Sequence, residues 1–221
     1  MLRSYFLTII GIFPASRMKN FVLRRLGFDV AHTAVLSPNL FLGVSNLSLG
    51  QGSLIRRFNI FRNVKIVIHN NAIIGSWNWI SSAPAVSSHR NFMGELVLGN
   101  SCAINSRNYL DCSGGIYFGP FSDLAGVRST FITHYIDTKV SGQRCQPIII
   151  GESVMLSSNL NLTPGVKIGN NALIGMGSVL TGKEYPGGFL IAGVPGKVIR
   201  EVTGAWFERI SGPVGVCEED E

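Results

Sequence analysis

Six stretches of the chain repeat one six-residue pattern: LGQGSL at 49–54, LGNSCA at 98–103, FGPFSD at 118–123, IGESVM at 150–155, IGNNAL at 168–173 and IGMGSV at 174–179. Each runs apolar residue, Gly, two variable residues, a small or β-branched residue, then one more. A hexapeptide period of this kind is the signature of a parallel β-helix, in which each hexad supplies one short strand and one corner. The apolar lead and the small residue point inward. The Gly is expected at a corner that needs positive φ.

The register extends beyond the six hexads. If three hexads make a triangular coil, the inward leads of the first face are Leu49, Ile68, Leu98, Phe118, Ile150 and Ile168. Those of the second are Ile55, Ile74, Ile104, Leu124, Leu156 and Ile174, and those of the third Phe61, Ile80, Leu110, Thr130, Leu162 and Leu180. Coil-to-coil spacings along the first face are then 19, 30, 20, 32 and 18 residues, so two coils carry insertions, near 81–97 and 131–149. Both leave from the third-face corner, two coils apart. Neighbouring coils stack about 4.8 Å apart, so the two insertions begin roughly 10 Å from each other. His89 lies in the first insertion and His134 in the second. The same register stacks Asn59, Asn78 and Asn108 in an inward column on the second face, where an amide ladder can satisfy itself.

The remaining composition narrows the partners. Only 14% of the 221 residues are charged, too few for a helical bundle or coiled coil, and 46% are hydrophobic, too many for disorder. Mean hydropathy is +0.28, yet no apolar run reaches the roughly 18 residues of a membrane span. The 19 basic residues exceed the 13 acidic ones, a net charge of +6. Nucleic acid is not the expected partner, because outside the N-terminus no basic run with interleaved aromatics occurs. A small polyanionic ligand or an acidic membrane surface accounts for the charge. Cys102, Cys112, Cys145 and Cys217 form no CxxC pair, which suits a reducing, cytoplasmic setting. Tyr5–Phe13 is apolar like the middle of a signal peptide, but no A-x-A site follows. Residues 17–26 read as a short basic helix with Met18, Phe21, Val22 and Leu26 on one face and Gly27 at its C-terminal cap. It either caps the first turns of the solenoid or lies on anionic lipid as a peripheral contact. The expected organisation is an N-terminal helical, basic segment (1–34), a β-helix (35–185) of about six triangular coils, and a C-terminal tail with a short helix (186–221).

Residues 168–201, IGNNALIGMGSVLTGKEYPGGFLIAGVPGKVIRE, closely resemble the closing coils and tail of the hexapeptide-repeat acyltransferases. THYID at 133–137 and PIIIGESVMLSSNLNLTPGVKIG at 147–169 resemble that family's histidine-bearing loop and its re-entry into the helix. The likeness is greatest to sugar O-acetyltransferases of bacterial polysaccharide biosynthesis. Two positions depart from the pattern: Met155 stands where many relatives carry Trp, and the loop has no Asn beside the histidine.

The resemblance implies a left-handed coil, acetyl-CoA as co-substrate, a homotrimer, and acetyl transfer to a hydroxyl of a sugar or glycan, free or lipid-linked. It makes His134 the general base, a task that an imidazole of pKa about 6.5 suits at neutral pH. Asp137, three residues on, either fixes the imidazole tautomer or is a surface carboxylate. His89 either helps bind the acceptor or is a surface residue. By resemblance the pantetheine arm passes Ser157, Gly175 and Ser178, with Lys183, Lys197 and Arg200 near the phosphates. No metal is expected, since zinc sites on this fold need clustered imidazoles and the four histidines stand apart at 32, 69, 89 and 134. The alternatives are N-acetyl transfer to an amino sugar or small amine, and a non-catalytic scaffold.

Overall fold

In a computed structural model, residues 2–87 and 94–209 are described. They form a three-faced left-handed β-helix, capped at one end by two helices. Its faces are parallel sheets of eight, nine and seven strands, the nine including one antiparallel strand from the tail. Strands are two to four residues long in the coils, because a corner interrupts each hexad.

The first face stacks Val30, Leu49, Ile68, Leu98, Phe118, Ile150, Ile168 and Tyr185. The second stacks Leu36, Ile55, Ile74, Ile104, Leu124, Leu156, Ile174 and Ile191. All these leads are buried. On the third face the register differs at one position: Phe131, not Thr130, pairs with Leu110 and Leu162. One extra residue in the corner Gly126–Ser129 causes the shift, and the buried Phe131 shows which residue the core accepts. The solenoid is also longer than six coils. It starts at Asp29 rather than 35 and completes seven turns, and Phe189–Ala192 continues the second face beyond 185.

The hexad glycines do not supply the positive φ expected of them. The position two residues after each hexad Gly takes the left-handed conformation instead, as Gly52, Ser101, Phe121, Ser153, Asn171 and Gly177. The glycines serve close approach. A Cβ on Gly119 would stand 2.6 Å from the backbone of Gly151 in the next coil, and one on Gly99 2.7 Å from Pro120 N. At these two glycines the stacked coils leave no room for a side chain, whereas the coil of Ile68 carries His69 at the same corner.

The asparagine column is present and one member longer. Asn39 Oδ1 accepts from Asn59 N, Asn59 Oδ1 from Asn78 N, and Asn78 Oδ1 from Asn108 N, at 2.7–2.9 Å. Ser129 N closes the series onto Asn108 Oδ1. The column lies at the corner entering the third face rather than on the second, and its amides satisfy buried backbone donors that no strand reaches.

Helix α1 (Leu2–Gly11) and helix α2 (Arg17–Arg25) close the open first coil. Ser16 caps α2 by accepting from Lys19 N. Leu7 and Leu23 are fully buried against the coil, and Gly11 lets α1 approach Phe41. The buried face of α2 differs from the one expected. Lys19, Asn20 and Leu23 face inward, while Met18 and Phe21 are exposed. The reason is the rim of unpaired carbonyls at the end of a solenoid, which needs donors more than methyl groups. Lys19 Nζ donates to Gly11 O, Phe13 O, Leu36 O and Ser37 O, at 2.8–3.3 Å. Asn20 Nδ2 donates to Ala34 O at 2.7 Å. Burial lowers the Lys19 pKa to about 8, so the ammonium stays charged at neutral pH.

Candidate active site

The second insertion folds as a β-hairpin, His134–Asp137 against Gly142–Cys145, standing off the third-face corner. Thr133, fully buried, anchors its base. The Thr133 hydroxyl donates to Asp111 O at 2.7 Å and accepts from Gly114 N at 2.8 Å. His134 is the first residue beyond this anchor, so its position is set by the coil and not by the hairpin tip.

Asp111 is the partner of the histidine. It lies on the coil between the two insertions, and its Oδ2 is 2.7 Å from His134 Nδ1. Ser113 Oγ donates to Oδ1 at 2.5 Å, and Thr133 N to Oδ2 at 2.9 Å. The tight turn Cys112–Gly115, with Gly115 at φ 91°, folds Ser113 back onto the carboxylate. Burial alone would raise the Asp111 pKa. Hydrogen bonds from Ser113, His134 and Thr133 N outweigh it and hold the carboxyl below its ordinary range. An ionised carboxylate can only accept, so Nδ1 carries a proton, and in the neutral imidazole Nε2 is then the nitrogen with the free lone pair. The carboxylate is buried, whereas the imidazole is about one-third exposed, at the mouth of a cleft of 360 Å³. Arg62, Asn63, Ser81, Ser82 and Tyr109 line that cleft beside the pair.

Asp137, the carboxylate considered as tautomer-fixing, does something else. It accepts from Arg144 Nε across the hairpin at 2.7 Å and caps the turn at Lys139 N. It faces away because residues three apart on a strand point to opposite sides. Asp111 was missed because it is 23 residues from His134 in sequence. A signal was present, since it directly follows the third-face lead Leu110 at the corner from which both insertions leave. His89 lies outside the described residues. The described part of the first insertion includes helix α3 (Pro84–Ser87), whose Pro84 and Ala85 line the His134 cleft.

The residues expected near coenzyme A are dispersed over the last coils. Ser157 and Gly175 sit at a corner of the second face, with Ser157 N donating to Ile174 O and Gly175 N to Ile191 O. Ser178 is fully buried, and its hydroxyl donates to Gly175 O and accepts from Gly193 N, fastening the tail to the final coil. Lys183, beside Tyr185, Lys197 and Arg200 are exposed. Lys197 and Arg200 lie on the antiparallel strand Lys197–Glu201, which pairs with Phe189–Ala192. Among the described residues no group of three His, Cys, Asp or Glu could hold a metal ion.

Residues 147–182 match the family described as bacterial transferase hexapeptide (six repeats). Over 56 residues the chain is 48% identical to galactoside O-acetyltransferase of Escherichia coli (strain K12), a match covering 25% of this chain and 27% of that one. Over 57 residues it is 33% identical to 2,3,4,5-tetrahydropyridine-2,6-dicarboxylate N-acetyltransferase of Staphylococcus aureus (strain JH9), covering 26% and 23%. The matches thus span about a quarter of each curated relative. Among solved structures, the polysialic acid O-acetyltransferase OatWY aligns with TM-score 0.56 at 20% identity, over 79% of this chain and 84% of that one. A hexapeptide-repeat acetyltransferase of Vibrio cholerae, complexed with acetyl coenzyme A, aligns with TM-score 0.51 at 16% identity, over 92% and 87%. At these identities the alignments establish the fold.

Proposed function

Taking the chain as a member of the hexapeptide-repeat transferases, we propose that it is an acetyl-CoA-dependent O-acetyltransferase whose acceptor is a hydroxyl of a sugar or surface-glycan precursor. The observation that carries this reading is the Asp111–His134 pair at the mouth of a cleft, directly ahead of the matched segment 147–182. His134 Nε2 takes the proton from the acceptor hydroxyl as its oxygen attacks the thioester carbonyl. The C–O bond forms, the C–S bond breaks, and the imidazolium returns its proton to the departing thiolate. Asp111 keeps Nδ1 protonated and stabilises the imidazolium between those two transfers.

The cofactor reading retains Ser157 and Gly175 as the path of the pantetheine arm and Lys183, Lys197 and Arg200 as phosphate partners. The exposure of the three cations on the final coil and tail, and the half-buried corner of Ser157 and Gly175, support it. Ser178 enters only through the corner that its hydroxyl holds together. A homotrimer belongs to the same proposal, supported by the exposed Phe58–Trp77 ring pair, at 4.6 Å, of the kind of apolar surface that protein contacts cover. Following release of thiol from acetyl-CoA over a panel of sugars tests the reaction. Release with hexoses but not with amines supports O-transfer; release with amino sugars alone would replace it with N-transfer.

No helix among the described residues is long and apolar enough to cross a membrane. A cytoplasmic setting fits the unbridged thiols. Within it, the outer surface of α1 and α2 is read as a peripheral contact with anionic lipid. Tyr5, Ile9, Ile12, Phe13, Met18 and Phe21 are exposed there, and residues 1–28 contain no Asp or Glu. Exposed Arg17 and Arg25 supply the matching charge.

A further inference from the structure

Arg62 stands in the His134 cleft with no ion pair among the described residues. Several arginines are engaged, among them Arg3 over Phe28, Arg24 on Val30 O, Arg144 with Asp137 and Arg209 with Asp123; among those without an ion pair, Arg62 is the one that lines the His134 cleft. The acids nearest to Arg62 along the coils are committed elsewhere. Asp111 is taken up by Ser113, Thr133 and His134, and Glu95 pairs with Lys65 at 2.8 Å. The cleft that His134 lines is therefore also lined by an arginine with no ion pair among the described residues.

The Arg62 backbone is fixed by the coil. Arg62 ends the strand Ile60–Arg62, whose Phe61 is fully buried, so the neighbouring Arg62 side chain points outward. Arg62 O accepts from Ser82 N at 3.0 Å. Arg62, Ser81 and Asp111 are successive register partners on adjacent coils, which sets the Arg62 and Asp111 backbones roughly 10 Å apart. That interval accommodates one sugar ring, with the hydroxyls of Ser81, Ser82 and Tyr109 along its edge.

We propose that the acceptor bears an oxyanion, a carboxylate or a phosphate, and that Arg62 pairs with it while His134 meets the hydroxyl to be acetylated. This rests on the O-acetyltransferase reading above. A guanidinium offers two parallel donors to either oxyanion, which fixes the orientation of the ring as well as adding affinity. A neutral acceptor would leave this fork unmatched.

The test is binding of glucuronate, glucose 6-phosphate and glucose to the full chain with coenzyme A present, read by saturation-transfer NMR, for wild type, Arg62→Gln and Arg62→Lys. At least one anionic sugar should bind more tightly than glucose, and Arg62→Gln should shrink that preference about tenfold or more. Arg62→Lys, which keeps the charge without the fork, should retain part of it. A preference confined to glucuronate identifies a carboxylate, and one confined to glucose 6-phosphate a phosphate. Equal or undetectable binding of all three by wild type overturns the proposal, as does a preference that Arg62→Gln leaves unchanged. Absence of thiol release with every sugar would bear on the reaction reading, whereas the binding preference bears on Arg62 alone.

Discussion

His134 and Asp111 meet because two corners of the solenoid, one coil apart, face the same cleft. The expected consequences are separable. Replacing His134 by Ala should lower kcat about 10²–10⁴-fold, the contribution of a general base, and leave the solenoid folded, because the imidazole lies outside the core. Asp111→Asn preserves shape but removes the obligatory acceptor at Nδ1, and a loss of about 10²–10⁴ in kcat is expected by analogy with other oriented imidazoles. Near-normal turnover in either variant would remove the base from the mechanism. Asp111 also makes stability pH-dependent. Its carboxyl titrates lower in the folded chain than in the unfolded one. Its contribution is therefore present above the unfolded value near 3.8 and is lost as pH falls through the folded value. Thermal unfolding between pH 3 and 7 should show a steeper acid-side decline in wild type than in Asp111→Asn.

Among the elements, the coil corner and the N-terminal cap obey different constraints. A methyl on Gly119 would press on the Gly151 backbone at 2.6 Å, where no flexible side chain can give way. Gly119→Ala is expected to cost about 1–3 kcal/mol in denaturant unfolding, as overpacking does. If stability were unchanged, coil spacing would have to be looser than described. At the cap, Lys19→Met would remove the ammonium from the carbonyls of Gly11, Phe13, Leu36 and Ser37, of which Gly11 and Ser37 keep Asn39 as a donor. A loss of about 2–4 kcal/mol is expected, since a buried charged donor is removed from several acceptors. Increased protease cleavage between α1 and α2 would locate the damage; a methionine as stable as the lysine would show that burial alone holds the cap.

For the whole molecule, the expectations concern assembly and surfaces. Sedimentation should report three chains per particle, and a monomer at micromolar concentration would remove any site shared between subunits. Flotation with phosphatidylcholine vesicles containing one-third phosphatidylglycerol should carry the protein upward, and pure phosphatidylcholine should not. Phe21→Ser with Met18→Ser should abolish flotation without changing the sedimenting species. If those substitutions instead dissociate the particle, the α1–α2 surface is a subunit contact and the lipid reading fails.

The residues alone were sufficient for the solenoid, its three faces and the two insertions, because a six-residue period repeats a local choice of strand and corner many times over. The inward positions of Ile68, Ile104 and Leu162 follow from spacing, and so does the stacking of Asn59, Asn78 and Asn108. His134 is singled out as the candidate base by the motif around it. Which side chains meet at the corners and at the cap was not legible, because that depends on local corner geometry and not on the six-residue period. One added residue after Gly126 moved the third-face lead from Thr130 to Phe131. The same dependence brought Asp111 and not Asp137 to His134. It turned Lys19 inward and Met18 outward, since the end of a parallel sheet offers carbonyls to be satisfied before it offers apolar surface to be covered.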